Sequence, residues 1–563
     1  MSSNRPKYRS EAWFETKEIY GWLRQAALKA EGFTESAYAG RPIIGICNSW
    51  SELTHCNANL RQLADAVKRG VWQAGGFPLE FPVMSLGEYN MLPTTMMYRN
   101  LMSMDVEESI SANPLDGVVL LGGCDKTTPA LLMGAASSDI PAILLTGGPQ
   151  LKGNWDGEEL GSCTDCRRYY QELRAGRITE KDWVEIQSSI IRSAGHCMVM
   201  GTASTMASMG EALGISLPGN ASIPAVDSRR AQLAETTGRQ IVSIVDQELR
   251  PSSILTIEAF ENAIRTLHAI GGSTNAIIHL TAIAGRLGID LPQSIFNELS
   301  ITTPHIVDLK PSGKFLMEDL FYAGGISGVL REISSLLHTE VPTVTGLTLG
   351  ENISVGGVRN QEVIRTIDNP LNPEGGLAVL TGSLAPNGAI IKPTAASAEL
   401  LCHRGRAVVF ENHEIMLQTI DDPDLDITAQ DIIVMRNSGP IGGPGMPEWG
   451  DIPIPKKLLA KGVTDMVRIS DARMSGTAFG TVIIHVAPES AVGGPLGAVQ
   501  TGDIIELDVP KRRIDLLLEE SEIQKRLSGN KSVKQHYKRG YGRIFTEHVL
   551  QADQGCDFDF LRG

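Results

Sequence analysis

Short apolar runs and longer amphipathic stretches alternate through the first two thirds of the chain, then give way to closely spaced strand-like runs. Pro42–Cys47 (PIIGIC), Gly117–Leu121 (GVVLL) and the run PAILLTGG ending at Gly148 are too short and too uniformly apolar for helices, so they predict buried strands. Helical periodicity marks Leu60–Ala74, PALLMGAASS, Asp227–Leu287 and Ala323–Leu337. The order strand, turn, helix, strand between Gly117 and Gly148 predicts a βαβ unit, and therefore a parallel sheet. Between Pro342 and Gly375 the texture changes to short β-prone pieces with the turn signals DNP and NPEGG. Beyond it, GLAVLTGSLAPNGAIIKP, RGRAVVFEN, DIIVMRN, DMVRIS, GTVIIHVAP and GDIIELDVP predict strands parted by glycine turns, as in a β-barrel or sandwich. The expected fold class is thus α/β, with a helix-rich parallel-sheet domain over 41–370 and a β-barrel-like domain over 371–563. Residues 1–40 are polar with a helical pattern, which predicts an arm packed on the protein or on a neighbouring subunit.

Composition narrows the function. A chain of 563 residues is too long for one core. Its net charge of −15 argues against nucleic-acid and membrane-surface partners, so an anionic substrate needs local cations or metals. The opening MSSNRPKYRSEAWF has no apolar core of signal-peptide length, and no run approaches the roughly 18 residues of a membrane span. A cytoplasmic setting is expected, with no membrane partner. Eight cysteines are too sparse for a disulfide scaffold and are expected as thiols.

Candidate chemistry concentrates at Gly122–Pro129 (GGCDKTTP), directly after a predicted strand. That placement puts Cys124, Asp125 and Lys126 at the carboxyl edge of the sheet, where α/β proteins bind ligands. A thiolate suits iron–sulfur, copper or zinc, and a carboxylate suits magnesium, calcium or manganese. Two kinds of metal centre could meet at this turn. A phosphate loop would need Gly immediately before the Lys, where Asp125 stands instead. Cys56, in THCNA, and Cys197, in GHCMV, open predicted helices, where a helix dipole favours thiolate; either alone also fits a small buried core residue. Glu88 follows Gly87 after a strand-like run and reads as a loop acid. Cys163 and Cys166 form the only CxxC, but no second ligand pair follows, so they read as a lid or surface feature. In the last third, NSGPIGGPGMPEWG presents Glu448 and SDARMSGTAFG presents Ser475, in glycine loops able to bring amides near an oxyanion.

Taken together, GGCDKTTP, AIGGSTNA, GGPGMPE and DARMSGT resemble the dehydratases of sugar acids and dihydroxy acids, over about residues 40 to 555. GGCDKTTP and DARMSGTAFG resemble the L-arabinonate and D-xylonate branch more than the branched-chain biosynthetic enzymes, which more often carry GGCDKNMPG and DGRFSGG. Ile441, where that branch commonly has Lys, and Met198, where a small or polar residue is usual, depart from its pattern and bear on the substrate. The resemblance implies that Cys56, Cys124 and Cys197 hold an iron–sulfur cluster, 2Fe-2S in preference to 4Fe-4S. It implies that Glu88, Asp125, Glu448 and a carbamylated Lys126 hold Mg2+, with Ser475 as the base. It also implies a small hydroxy-acid substrate, loss of water to give a 2-keto-3-deoxy acid, and a homodimer or homotetramer. The alternatives are a dihydroxy-acid dehydratase acting on 2,3-dihydroxyisovalerate and, from another class, an iron–sulfur electron carrier or sensor. Three thiolates would leave one iron position open, whereas electron-transfer clusters are normally closed by four.

Overall fold

The structure is a computed structural model that describes residues 8–14, 18–528 and 536–563. The arm expected over 1–40 therefore lies partly outside the described residues. Its described part forms three helices, α1 (Glu11–Phe14), α2 (Ile19–Ala30) and α3 (Glu35–Tyr38).

Four strands follow, β1 (Ile43–Asn48), β2 (Phe77–Pro82), β3 (Gly117–Gly122) and β4 (Ala142–Thr146), in the parallel order β2-β1-β3-β4. Every residue of β1, β3 and β4 is buried, which is why these strands read as continuous apolar runs. The crossovers are α4 (Leu60–Gln73), α5 (Thr95–Ser111) and α6 (Thr127–Ser138). Chain order reverses between β1 and β3, and the crevice at such a switch point opens at the carboxyl ends of the strands.

A two-stranded hairpin, β5 (Gly153–Trp155) and β6 (Glu158–Leu160), leads into α7 (Ser162–Arg174) and α8 (Glu180–Ile190). The helical layer continues with α9 (Thr202–Ala212), α10 (Ser228–Asp246), α11 (Pro251–Ile254), α12 (Ile257–Ala269) and α13 (Asn275–Arg286). The span 342–375, expected to be β-prone, holds a short helix at Leu349–Ser354 and turns in place of strands. Its proline, glycine and asparagine residues favour isolated turns over ladders.

The last third forms an eight-stranded sheet of β7 (Ala378–Leu380), β8 (Gly388–Ile391), β9 (Cys402–Phe410), β10 (Ile432–Met435), β11 (Arg468–Ser470), β12 (Val482–Ala487), β13 (Ile504–Asp508) and β14 (Arg513–Leu516). The order is β14-β13-β9-β10-β11-β12-β8-β7. A bridge between Thr381 and Arg513 nearly closes it into a barrel, with Thr381 N donating to Arg512 O at 3.0 Å and Ile514 N to Thr381 O at 3.1 Å. Alternation is plain along β10: Ile432 and Val434 join one apolar cluster, Ile433 and Met435 another. β9 to β12 run parallel, with antiparallel strands at both ends. The carboxyl terminus then returns to the first sheet's helices. Arg286 on α13 pairs with Asp557 at 2.6 Å, and Arg99 on α5 donates to the carbonyls of Gly555 and Cys556 at 2.9 Å.

Candidate active site

The loops after β1, β2 and β3 meet at the switch point. Cys56 lies in a single helical turn, His55–Asn57, just before α4, and Cys124 follows β3 just before α6. They approach because Gly123 has no side chain: a Cβ there would stand 2.7 Å from the Cys56 carbonyl oxygen. The segment carrying Cys197 is tied to the end of β4, with His196 N donating to Gly148 O at 3.0 Å and Gln150 N to His196 O at 2.8 Å. Gly195 N reaches the carbonyl of His55 at 3.5 Å, which draws this segment to the turn bearing Cys56. The three thiols thus belong to one crevice, Cys56 and Cys124 buried and Cys197 half-buried.

Cys163, read as part of a lid or surface feature, belongs to this crevice as well. Its Sγ touches the hydroxyl of Tyr89, which also lies 3.6 Å from Cys197 Sγ, and Cys163 and Cys197 interact directly. Cys166, one turn of chain further on, is exposed as expected of a surface thiol. Interaction with Cys197, and then with Tyr89 and the Arg167 charge, outweighs burial and holds the Cys163 thiol down at about 6. The Cys56 thiol is pushed well up, first by Cys124 beside it and then by burial.

Beside the thiols lies a carboxylate group built around Lys126. Its Nζ, fully buried, stands 3.0 Å from Glu88 Oε2, 3.0 Å from Glu448 Oε1 and 3.5 Å from Asp125 Oδ2. Glu88 comes from coil after β2, not from a strand end, because β2 stops at Pro82. Its carboxylate accepts from Thr95 at the start of α5. Burial opposes the Lys126 charge, but the three carboxylates outweigh it and raise its pKa. Burial, with Glu448 and Glu88 nearby, lifts Asp125 to about 6 despite Lys126. Burial also pushes Glu448 up, but Lys126 and Arg473 prevail and hold it at about 2. Among the described residues no three His, Cys, Asp or Glu side chains are drawn into a ready-made metal-ligating group. An ammonium instead takes the centre of the carboxylates, and the thiols stand in neighbouring pairs.

The barrel contributes two loops. Glu448 is fixed by the buried Arg473, whose Nη1 donates at 2.9 Å, and by Asn275 Nδ2 at 3.2 Å. The same Asn275 nitrogen donates to Met474 O at 3.0 Å, so one amide joins Glu448 to the backbone beside Ser475. Ser475 Oγ pairs with Thr477 Oγ1 at 2.8 Å, and among the described residues no histidine hydrogen-bonds to it. Gly476 lets this loop seat on the start of α9, where a Cβ would fall 2.6 Å from Ser273 Oγ and 2.7 Å from Thr202 N. Thr164 of α7 donates to Thr477 O at 2.9 Å, so α7 touches the loop as well. Arg473 and Asn275 sit inside the motifs DARMSGT and GGSTNA but carry no spacing that marks a role. Arg167 also borders the site: it pairs with Asp451, and its buried Nε has no hydrogen-bond partner.

A soft thiol group and a hard carboxylate group thus lie at the mouth of a parallel sheet, with a serine from a facing barrel, the first suited to soft cations and the second to hard ones. Two family models cover most of the chain, the N-terminal dihydroxy-acid/6-phosphogluconate dehydratase model over residues 41–352 and its C-terminal counterpart over 362–556. The chain belongs to that dehydratase family, and is a hydro-lyase. It is 53% identical to the L-arabonate dehydratase of Azospirillum brasilense, covering 100% of this chain and 98% of the relative. To the L-arabinonate dehydratase of Rhizobium leguminosarum bv. trifolii it is 52% identical, over 99% and 96% of the two chains. A dihydroxy-acid dehydratase of Caldanaerobacter subterraneus is 40% identical, over 95% and 96%. Among the described residues no helix is long and apolar enough to cross a membrane.

Proposed function

We propose that this dehydratase acts on a sugar acid, a pentonate or hexonate such as L-arabinonate or D-xylonate, and forms its 2-keto-3-deoxy acid. The observation that carries this reading is full-length identity of 53% and 52% to L-arabonate and L-arabinonate dehydratases, against 40% to a dihydroxy-acid dehydratase. Cys56, Cys124 and Cys197 would hold a 2Fe-2S cluster, and Glu88, Asp125, Glu448 and a carbamylated Lys126 would hold Mg2+. The donor sets fit: thiolates suit iron, carboxylates suit magnesium, and a cation already stands among the carboxylates as the Lys126 ammonium. Bound there, the two centres would supply Lewis acidity at the departing hydroxyl and at the substrate's carboxylate end. Carbamylation requires a neutral amine, which the three carboxylates oppose, so it requires their charge to be met by something other than Lys126.

Ser475 is the base of this reading. Its Oγ, as the alkoxide, takes the proton from C2 as the C3–O bond breaks; the departing hydroxide takes that proton back from Ser475 and leaves as water, and the enol tautomerises to the keto acid. Arg473 and Asn275 hold Glu448 and the Ser475 loop in one register. A cytoplasmic homodimer or homotetramer belongs to the proposal, supported by exposed Ile19, Tyr20, Trp22 and Leu23 on α2. Keto-acid formation from L-arabinonate, D-xylonate, D-gluconate and 2,3-dihydroxyisovalerate tests it. A sugar acid should exceed dihydroxyisovalerate in kcat/KM by at least about tenfold. Turnover of dihydroxyisovalerate alone would reassign the substrate, and no product from any would end the reading.

A further inference from the structure

We infer that Arg167 of α7 is a specificity-determining residue that binds the sugar-acid chain beyond C3 through the Nε side of its guanidinium. The inference rests on the sugar-acid reading above and names the part of the substrate that this side chain reads.

Helix α7 lies against the barrel along one face. Thr164, Arg167 and Arg174 are spaced as one side of a helix, and each reaches the barrel. Thr164 Oγ1 donates to Thr477 O at 2.9 Å, Arg167 Nη1 donates to Asp451, and Arg174 Nη2 donates to Asp421 at 2.8 Å. Thr477 follows Ser475 by two residues and Asp451 follows Glu448 by three, so the turn from Thr164 to Arg167 spans from the loop of the base to the loop of the carboxylate. A small core of Leu160, Tyr169, Ile186 and Ile190 fixes the helix from behind.

The guanidinium is not used up by Asp451. It carries five N–H donors, and among the described residues it donates only through Nη1. Nε is buried with no partner, and a buried donor without an acceptor is costly. The side chain as a whole is 32% exposed, which leaves it open to a ligand. The other cations of the site are engaged: Lys126 stands among three carboxylates, and Arg473 donates to Glu448, Met446 O and Thr94. Arg167 is thus the cation of this wall with donors to spare for an oxygen-rich ligand.

The reading above assigns the substrate's carboxylate, C2 and C3 to the hard site, Ser475 and the soft site. What remains of a pentonate is its C4 and C5 hydroxyls, whose oxygens accept hydrogen bonds. 2,3-Dihydroxyisovalerate carries methyl groups on C3 and no such hydroxyls, so it would leave Nε unpaired. A site built to hydrogen-bond a hydroxyl strongly rejects the analogue that lacks it.

The test uses the full chain, purified anaerobically with its iron, as wild type, Arg167→Met, Arg167→Lys and Arg174→Met. kcat/KM is measured for L-arabinonate and 2,3-dihydroxyisovalerate, and a compound that is not turned over is scored by its inhibition constant against L-arabinonate. Arg468 Nη1, 3.7 Å from Asp451 Oδ1, still pairs that carboxylate when Arg167 is changed. The inference expects Arg167→Met to lower kcat/KM for L-arabinonate by at least about a hundredfold, while the value for dihydroxyisovalerate changes by less than about threefold. Arg167→Lys keeps a cation but loses the planar fork, so it should fall between, and Arg174→Met should match wild type on both compounds. If Arg167→Met fails to load iron, the same ratio in Arg167→Lys decides. Equal losses on both compounds, no loss on either, or the same substrate-dependent loss in Arg174→Met would overturn the inference and leave the sugar-acid reading intact. A wild-type preference for dihydroxyisovalerate would overturn both.

Discussion

The parallel sheet and the barrel build their shares of the site in opposite ways. The sheet delivers Cys56, Cys124, Asp125 and Lys126 from loops that leave adjacent buried strands, so their places follow from backbone pairing. The barrel delivers Glu448 and Ser475 from long loops, and holds them by buried side chains reaching across to the helical layer, above all Arg473 and Asn275. Ligand positions set by a sheet tolerate changes around them, whereas positions set by a few polar bridges depend on each bridge.

The sharpest break in that comparison is at the base. On the proposed reading, Ser475→Ala should lower kcat by at least about a thousandfold while leaving folding and iron content unchanged, because only the proposed base is removed. Full retention of activity would remove Ser475 from the chemistry, and an electron carrier would be indifferent to the change. Next comes Arg473→Met, which strips a buried cation from Glu448 and from Thr94, at a cost of about 3–5 kcal/mol in stability by chemical denaturation. An unchanged denaturation midpoint would show that Lys126 and Asn275 secure Glu448 without Arg473. Gly476→Ala is a smaller insult. Its new Cβ must displace Ser273 or the start of α9, costing about 1–3 kcal/mol, with a drop in kcat larger than any rise in KM.

The mildest prediction concerns pH. Glu489 accepts from the amides of Ile441 and Gly442 in the Glu448 loop, and burial, with Asp471 nearby, raises it from 4.5 to about 7. The folded state then holds a proton that the unfolded chain has released, so its stabilisation is complete below about 4.5 and is lost as pH rises through about 7. The full shift is an upper limit of about 3 kcal/mol. Glu489→Gln should flatten that part of the stability profile between pH 5 and 8, and an unchanged slope would assign the titration to another group.

The same contrast explains what could be read from the chain alone. Strand, glycine turn and helix at Gly117–Ser138 place Cys124, Asp125 and Lys126 by local rules, and six short apolar runs announce the barrel's strands. β14 went unread because Arg513–Leu516 alternates charged and apolar residues after a basic turn. Glu88 was legible as a loop acid, but not how far it stands from β2, which ends early at Pro82. Cys163 looked superficial because its partner Tyr89 lies 74 positions away along the chain and no periodic signal connects it to Tyr89 or Cys197. Arg473 and Asn275 act through long-range bridges that leave no pattern in sequence.

The central claim is that a soft and a hard cation site serve one substrate. It is tested most directly by counting iron, sulfide and magnesium in the full-length protein purified anaerobically, alongside keto-acid formation from L-arabinonate. The account predicts about two iron and two sulfide per chain, bound magnesium, and turnover that is lost when either metal is removed and recovered when it is restored. Undiminished turnover by protein stripped of both would contradict it.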